Sequence, residues 1–203
     1  MPPTRNLTGL SWYLDTNIID HPEFADLHRM YSLEWIYLQT PDTVHMELST
    51  AQNPIKREEL LELRSDFPMP MGAHVLGHSQ LGMSVFGSEE DQNRLEKVHG
   101  IIWSGKTPQA DAASSNEGNR AARSRLRDSM IVATTIRYAH KTLITEDHDL
   151  LEASNALGLE FQGFRIIDIR SATSIAKAAI ARVRRLRELN PQSRSVQNLP
   201  DWP

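Results

Sequence analysis

Short apolar runs that stop abruptly at polar residues recur along this chain, most of them followed by a helix-start signal, and this alternation most constrains the fold. Residues 11–15 (SWYLD) are largely apolar and aromatic up to Asp15, then give way to Thr16 and Asn17. Such a run has the length and bounds of a buried strand at its carboxyl end. Residues 34–39 (EWIYLQ) read as a second strand leading into Pro41 and Asp42, a helix start. Residues 142–145 and 164–169 read as two more strands, and residues 73–76, between glycines, as a weak one.

The intervening stretches carry helical patterns. Asp20, Pro22 and Glu23 supply a cap, a first-turn proline and a first-turn acid. Val44 and Leu48 stand at i, i+4 after the second strand, with Glu47 near the start of that helix. Residues 56–66 form another helix with Leu60, Leu61 and Leu63 as its apolar face, and Ser88 to Asp91 have the form of a capping box ahead of Leu95, Val98 and Ile102. Residues 104–119 (SGKTPQADAASSNEGN) offer little to bury and predict a mobile loop. A long helix follows over 120–139, basic at first (Arg120, Arg123, Arg125, Arg127) and then apolar (Met130, Ile131, Val132, Ala133, Ile136). Residues 150–157 predict a helix between the last two strands, and residues 174–189 a basic final helix before a loose tail.

Strand alternating with helix predicts an open parallel α/β sheet, with ligands bound beyond the carboxyl ends of the strands. At 203 residues the chain suits one main domain, taken as residues 7–170, with a basic helix and tail over 171–203. A hydrophobic share of 39% and a charged share of 24% exclude a fibrous or wholly disordered chain. The absence of cysteine excludes disulfides and thiolate metal sites, as suits a reducing compartment. The first residues lack the apolar segment of a secretory signal, and no stretch approaches the roughly 20 apolar residues of a membrane span. A cytoplasmic protein with no membrane partner is expected.

The net charge of −4 opposes bulk electrostatic coating of nucleic acid. Its distribution is uneven: residues 1–100 hold 7 Lys+Arg and 15 Asp+Glu, a balance of −8, whereas residues 101–203 hold 15 and 11, a balance of +4.

The predicted topology aims several acids into one crevice. Asp15 ends the first strand, Asp147 ends the strand LITED, Asp128 lies where the long helix turns from basic to apolar, and Glu47 is expected near the start of the helix after the second strand. Clustered carboxylates repel one another, and a hard cation that prefers oxygen ligands resolves the repulsion.

In this order, Tyr13-Leu14-Asp15-Thr16-Asn17, Glu47, Arg127-Asp128-Ser129 followed by Ile-Val-Ala-Thr, and Leu-Ile-Thr145-Glu-Asp147-His-Asp149 resemble the acidic motifs of PIN domains. The resemblance covers residues 10–170 and implies a three-layer α/β/α fold with five parallel strands. It implies that Asp15, Glu47, Asp128 and Asp147 bind Mg²⁺ or Mn²⁺, with Asp149 a second candidate beside Asp147, and that Asn17 and Thr145 support the site by hydrogen bonding. It also implies endoribonuclease chemistry leaving a 5′-phosphate and a 3′-hydroxyl, with DNA cleavage left open. Toxins of toxin–antitoxin pairs form the largest group of small members, so the resemblance brings in an antitoxin-like inhibitor and a homodimer as expected partners. This chain is longer than the compact toxin pattern, with about 80 residues between Glu47 and Asp128 and a C-terminal extension.

Arg120, Arg123, Arg125 and Arg127 are candidates for RNA phosphate contacts, set against a solvated helix end. Arg182, Arg184, Arg185 and Arg187 read as a solvated face, and His148 as a surface histidine. A dehalogenase-like phosphatase needs an acid where Asn17 stands, and a receiver domain needs a lysine where Arg170-Ser171-Ala172 stands. The rival from another class is a non-catalytic RNA-binding or assembly module with the same fold.

Overall fold

The computed structural model describes residues 5–75, 79, 84–116, 118–138, 142–192 and 200. Among them four strands form one parallel sheet: β1 (Ser11–Leu14), β2 (Tyr37–Gln39), β3 (Thr142–Ile144) and β4 (Arg165–Ile167). The helices are α1 (Thr16–Ile19), α2 (Phe24–Ser32), α3 (Asp42–Ser49), α4 (Pro54–Ser65), α5 (Glu89–Ile102), α6 (Pro108–Asn116), α7 (Arg120–Arg137), α8 (His148–Glu160) and α9 (Ile169–Leu189).

The strand order is β2-β1-β3-β4. The chain therefore leaves β1 toward one edge and later returns to its other side, so the sheet reverses its winding between β1 and β3. In open α/β sheets the carboxyl ends flanking such a reversal border a crevice.

Side chains alternate across a strand, and here the alternation divides two cores. Trp12 and Leu14 of β1 and Ile144 of β3 bury into one, with Leu27 and Met30 of α2 and Ala172, Ala176 and Ile180 of α9. Tyr13 and Leu143 bury into the other, with Val44 of α3, Val98 of α5, Ile131 and Val132 of α7 and Leu150 and Leu157 of α8. Helices thus flank both faces. No described helix is long and apolar enough to cross a membrane.

Several expectations need correction. The fifth strand does not form among the described residues: Ala73 makes an isolated bridge to Val85, and residue 76 lies outside them. Prolines 68 and 70 crowd that segment and withhold ladder donors. The second strand is shorter than its apolar run, because Glu34 adopts a left-handed φ of 61° and the Trp35 N–H bonds back to Met30. The first-turn signals at Asp20 and Pro22 precede α2, but Asp20 closes α1 and pairs with Lys56. The capping box forms as expected, with Ser88 and Asp91 bonding reciprocally.

The predicted mobile loop contains a helix. α6 packs against α7, with Asp111 and Ser115 buried. Its inward face is polar, so an apolar pattern gives no sign of it. α9 starts at Ile169, earlier than expected, because Asp168 caps the Ser171 N–H at 2.8 Å. It passes residues 170 and 171 without a break while its first three turns lie in the main core. The expected loose tail falls largely outside the described residues.

Candidate metal centre

The site is built on two adjacent strand ends. Leu14 pairs with Ile144 in the ladder, and the next backbone bond runs from Asp15 N–H to Ile144 O at 3.0 Å. Asp15 and Thr145 therefore emerge side by side where the sheet reverses. Asp15 caps α1, its Oδ1 accepting from Thr16 N–H at 2.7 Å. Asp147 caps α8, its Oδ1 accepting from Leu150 N–H at 3.1 Å. A capping role alone accounts for each of these bonds.

The Thr145 hydroxyl ties the strand ends together. It donates to Asp15 Oδ2 at 2.6 Å and accepts from Asn17 Nδ2 at 3.1 Å and from the Asp147 N–H at 2.9 Å. Asn17 Oδ1 in turn accepts from the Glu146 N–H at 3.1 Å. Asn17 and Thr145, expected as supporting residues, thus interlock around Asp15. Thr16, which the sequence did not single out, donates its hydroxyl to Glu47 Oε2 and so links α3 to the end of β1. An ordinary polar residue after a strand offers no signal for that role.

Asp128 comes from α7, and its Oδ2 lies 3.5 Å from the Ser124 hydroxyl one turn earlier. Burial pushes its carboxyl up to about 8, and the charges of Asp15, Glu47 and Asp147 add to the rise against the weak Ser124 bond. Asp15, only 4% exposed, is pushed up to about 6. Burial is the largest cause; the Thr145 and Thr16 bonds oppose it, and the Glu47 and Asp147 charges reinforce it. Glu47 is also raised by burial, against its bond from Thr16 and the nearby Arg127 charge. The four expected acids therefore share one electrostatic environment.

Asp149 stands apart. It is exposed in the first turn of α8 and is not among the charges that raise Asp15 or Asp128. Between the two candidates, Asp147 is the one coupled to the site. His148 is exposed and pairs with Glu152 one turn on, at 3.0 Å.

The four arginines of α7 separate by helix face. Arg120 and Arg123 are exposed, and Arg123 donates to the Ser115 carbonyl at 3.2 Å. Arg125, expected at RNA, instead forms a two-pronged pair with Asp111 of α6 at 2.7 and 2.5 Å. That pair belongs to a buried network in which His99 contacts Asp111 at 3.3 Å and the Ser129 hydroxyl at 2.9 Å, while the Trp103 indole N–H reaches the Arg125 carbonyl. Arg127 faces the site, its Nη1 lying 3.7 Å from Glu47 Oε1.

The donors are hard carboxylate oxygens whose proximity raises one another's proton affinity, which is the chemistry a divalent cation relieves. Among the described residues, however, no three Asp, Glu or His side chains form a group that could hold an ion as they stand. Mg²⁺ does not require such a cage, because it commonly uses one or two carboxylates and completes its shell with water and substrate phosphate. No family model, curated protein or solved structure matches this chain.

Proposed function

We propose that this chain is a metal-dependent nuclease of PIN type, an endoribonuclease that hydrolyses RNA phosphodiester bonds. The supporting observation is that Asp128 is raised by burial and by the charges of Asp15, Glu47 and Asp147, with Asp15 itself raised beside the reversal point of a parallel sheet. A scaffold gains nothing from gathering acids that destabilise one another, whereas a cation site requires them.

On this reading Asp15, Glu47, Asp128 and Asp147 hold Mg²⁺ or Mn²⁺. The bound cation supplies Lewis acidity toward water and a phosphate oxygen. Thr145, itself held by Asn17, fixes the direction of the Asp15 carboxylate, and the Leu150 N–H of α8, donating to Asp147 Oδ1, keeps that acid at the strand end. Arg120 and Arg123 stand on the exposed start of α7, where they suit RNA phosphates. The three-layer PIN arrangement, RNA rather than DNA as substrate, an antitoxin-like inhibitor, a homodimer and a cytoplasmic setting belong to the same proposal.

Cleavage of single-stranded and structured RNAs with Mg²⁺, with Mn²⁺ and with EDTA tests it. Asp15→Asn and Asp128→Asn, shown to be folded by circular dichroism, should each lose at least about a hundredfold in rate. Full activity in either variant rejects the site. The rival reading, a non-catalytic RNA-binding module, draws on the absence of a ready ion-holding group among the described residues. RNA binding with no cleavage in any metal selects it.

A further inference from the structure

Two arginines of α7, two residues apart, are held in opposite ways. Arg125 is clasped through its planar fork by Asp111, the geometry in which a guanidinium is best satisfied. Arg127 lies against Glu47 by charge alone, at 3.7 Å, beyond hydrogen-bond distance. Its Nε–H is buried with no hydrogen-bond partner. Both side chains of that pair are largely shielded, at 16% and 20% exposure, so the attraction is poorly screened. The other Glu47 oxygen is occupied by the Thr16 hydroxyl. Glu47 is therefore hydrogen-bonded through one oxygen only, and Arg127 meets the other by charge.

We infer that Arg127 is the internal counter-ion of this site: its guanidinium neutralises Glu47 while no divalent cation is bound, and an entering cation displaces it. The inference rests on the metal-dependent reading above and concerns the regulation of the same site. Guanidinium and metal ion compete for one excess of negative charge, so removing the former strengthens binding of the latter.

The test is calorimetric titration of Mn²⁺ into the full chain as wild type, Arg127→Gln and Arg127→Lys. The Gln variant should bind Mn²⁺ about tenfold more tightly, the effect expected of removing one nearby positive charge at intermediate dielectric. The Lys variant, which keeps the charge, should stay within about threefold of wild type on the same argument. Equal or weaker binding by Arg127→Gln overturns the inference and makes Arg127 a support for Glu47. A gain in Arg127→Lys as large as in Arg127→Gln also overturns it, since charge would not be the cause. Wild type that binds no Mn²⁺ removes the metal reading together with this inference; wild type that binds, beside an unimproved Gln variant, removes the inference alone. Should Arg127→Gln unfold in EDTA, Mn²⁺ must restore its circular dichroism, and a variant that stays unfolded at saturating Mn²⁺ overturns the inference.

Discussion

Thr145 is fully buried, and its single hydroxyl serves three partners on two strand ends. Thr145→Val keeps the shape and removes the hydroxyl, leaving Asp15, Asn17 and the Asp147 N–H each short of a partner. Unsatisfied buried groups of this kind cost about 1–3 kcal/mol, so urea denaturation should show a loss of that order, with Thr145→Ser much closer to wild type. Asp128 makes the opposite case. Its folded value of about 8 lies above the ordinary 3.8, so the native state holds its proton more tightly than the unfolded chain does. That contribution to stability is complete below 3.8 and is lost as pH rises through about 8; for Asp15 the loss ends near 6. Within the window each pH unit costs up to about 1.4 kcal/mol per group. In EDTA, wild type should therefore be less stable at pH 8 than at pH 5, and Asp128→Asn should exceed wild type at pH 8 by on the order of 1 kcal/mol or more. Wild-type stability that rises across this range would contradict the coupling.

At the scale of elements, α7 is aligned by a helix that its own sequence does not advertise. Asp111 of α6 joins Arg125 and His99, and His99 reaches Ser129, the neighbour of Asp128. Asp111→Ala leaves this buried network without its only acid among the described partners, and should cost about 2–4 kcal/mol in chemical denaturation. Amide exchange should quicken first in α6 and at the start of α7; protection unchanged there would show that apolar packing alone holds the two together. The capping box of α5 and the caps at Asp147 and Asp168 lie within a few residues of what they cap, so elements of this kind can be read locally. α6 could not be, because the partners of its buried Asp111 come from α5 and α7.

For the whole molecule, folding brings the acidic first half and the basic second half to a common site, where Glu47 meets Arg127. Ligands that bind only the native state stabilise it by mass action, about 2.7 kcal/mol at a hundredfold excess over Kd. Thermal unfolding should thus shift upward in Mn²⁺, and more at pH 8 than at pH 6, because protons compete for the raised carboxyls. An equal shift at both pH values would place the ion elsewhere. The sequence by itself determined the chemistry available, with acids at two strand ends and on two helices, because apolar runs and caps are patterns of near neighbours. Only the tertiary structure decided which groups meet: Asp147 rather than Asp149 couples to Asp128, Arg125 turns to Asp111 and Arg127 to Glu47. Those choices depend on strand order and on which face each helix presents, and these are settled by contacts between residues far apart in the chain.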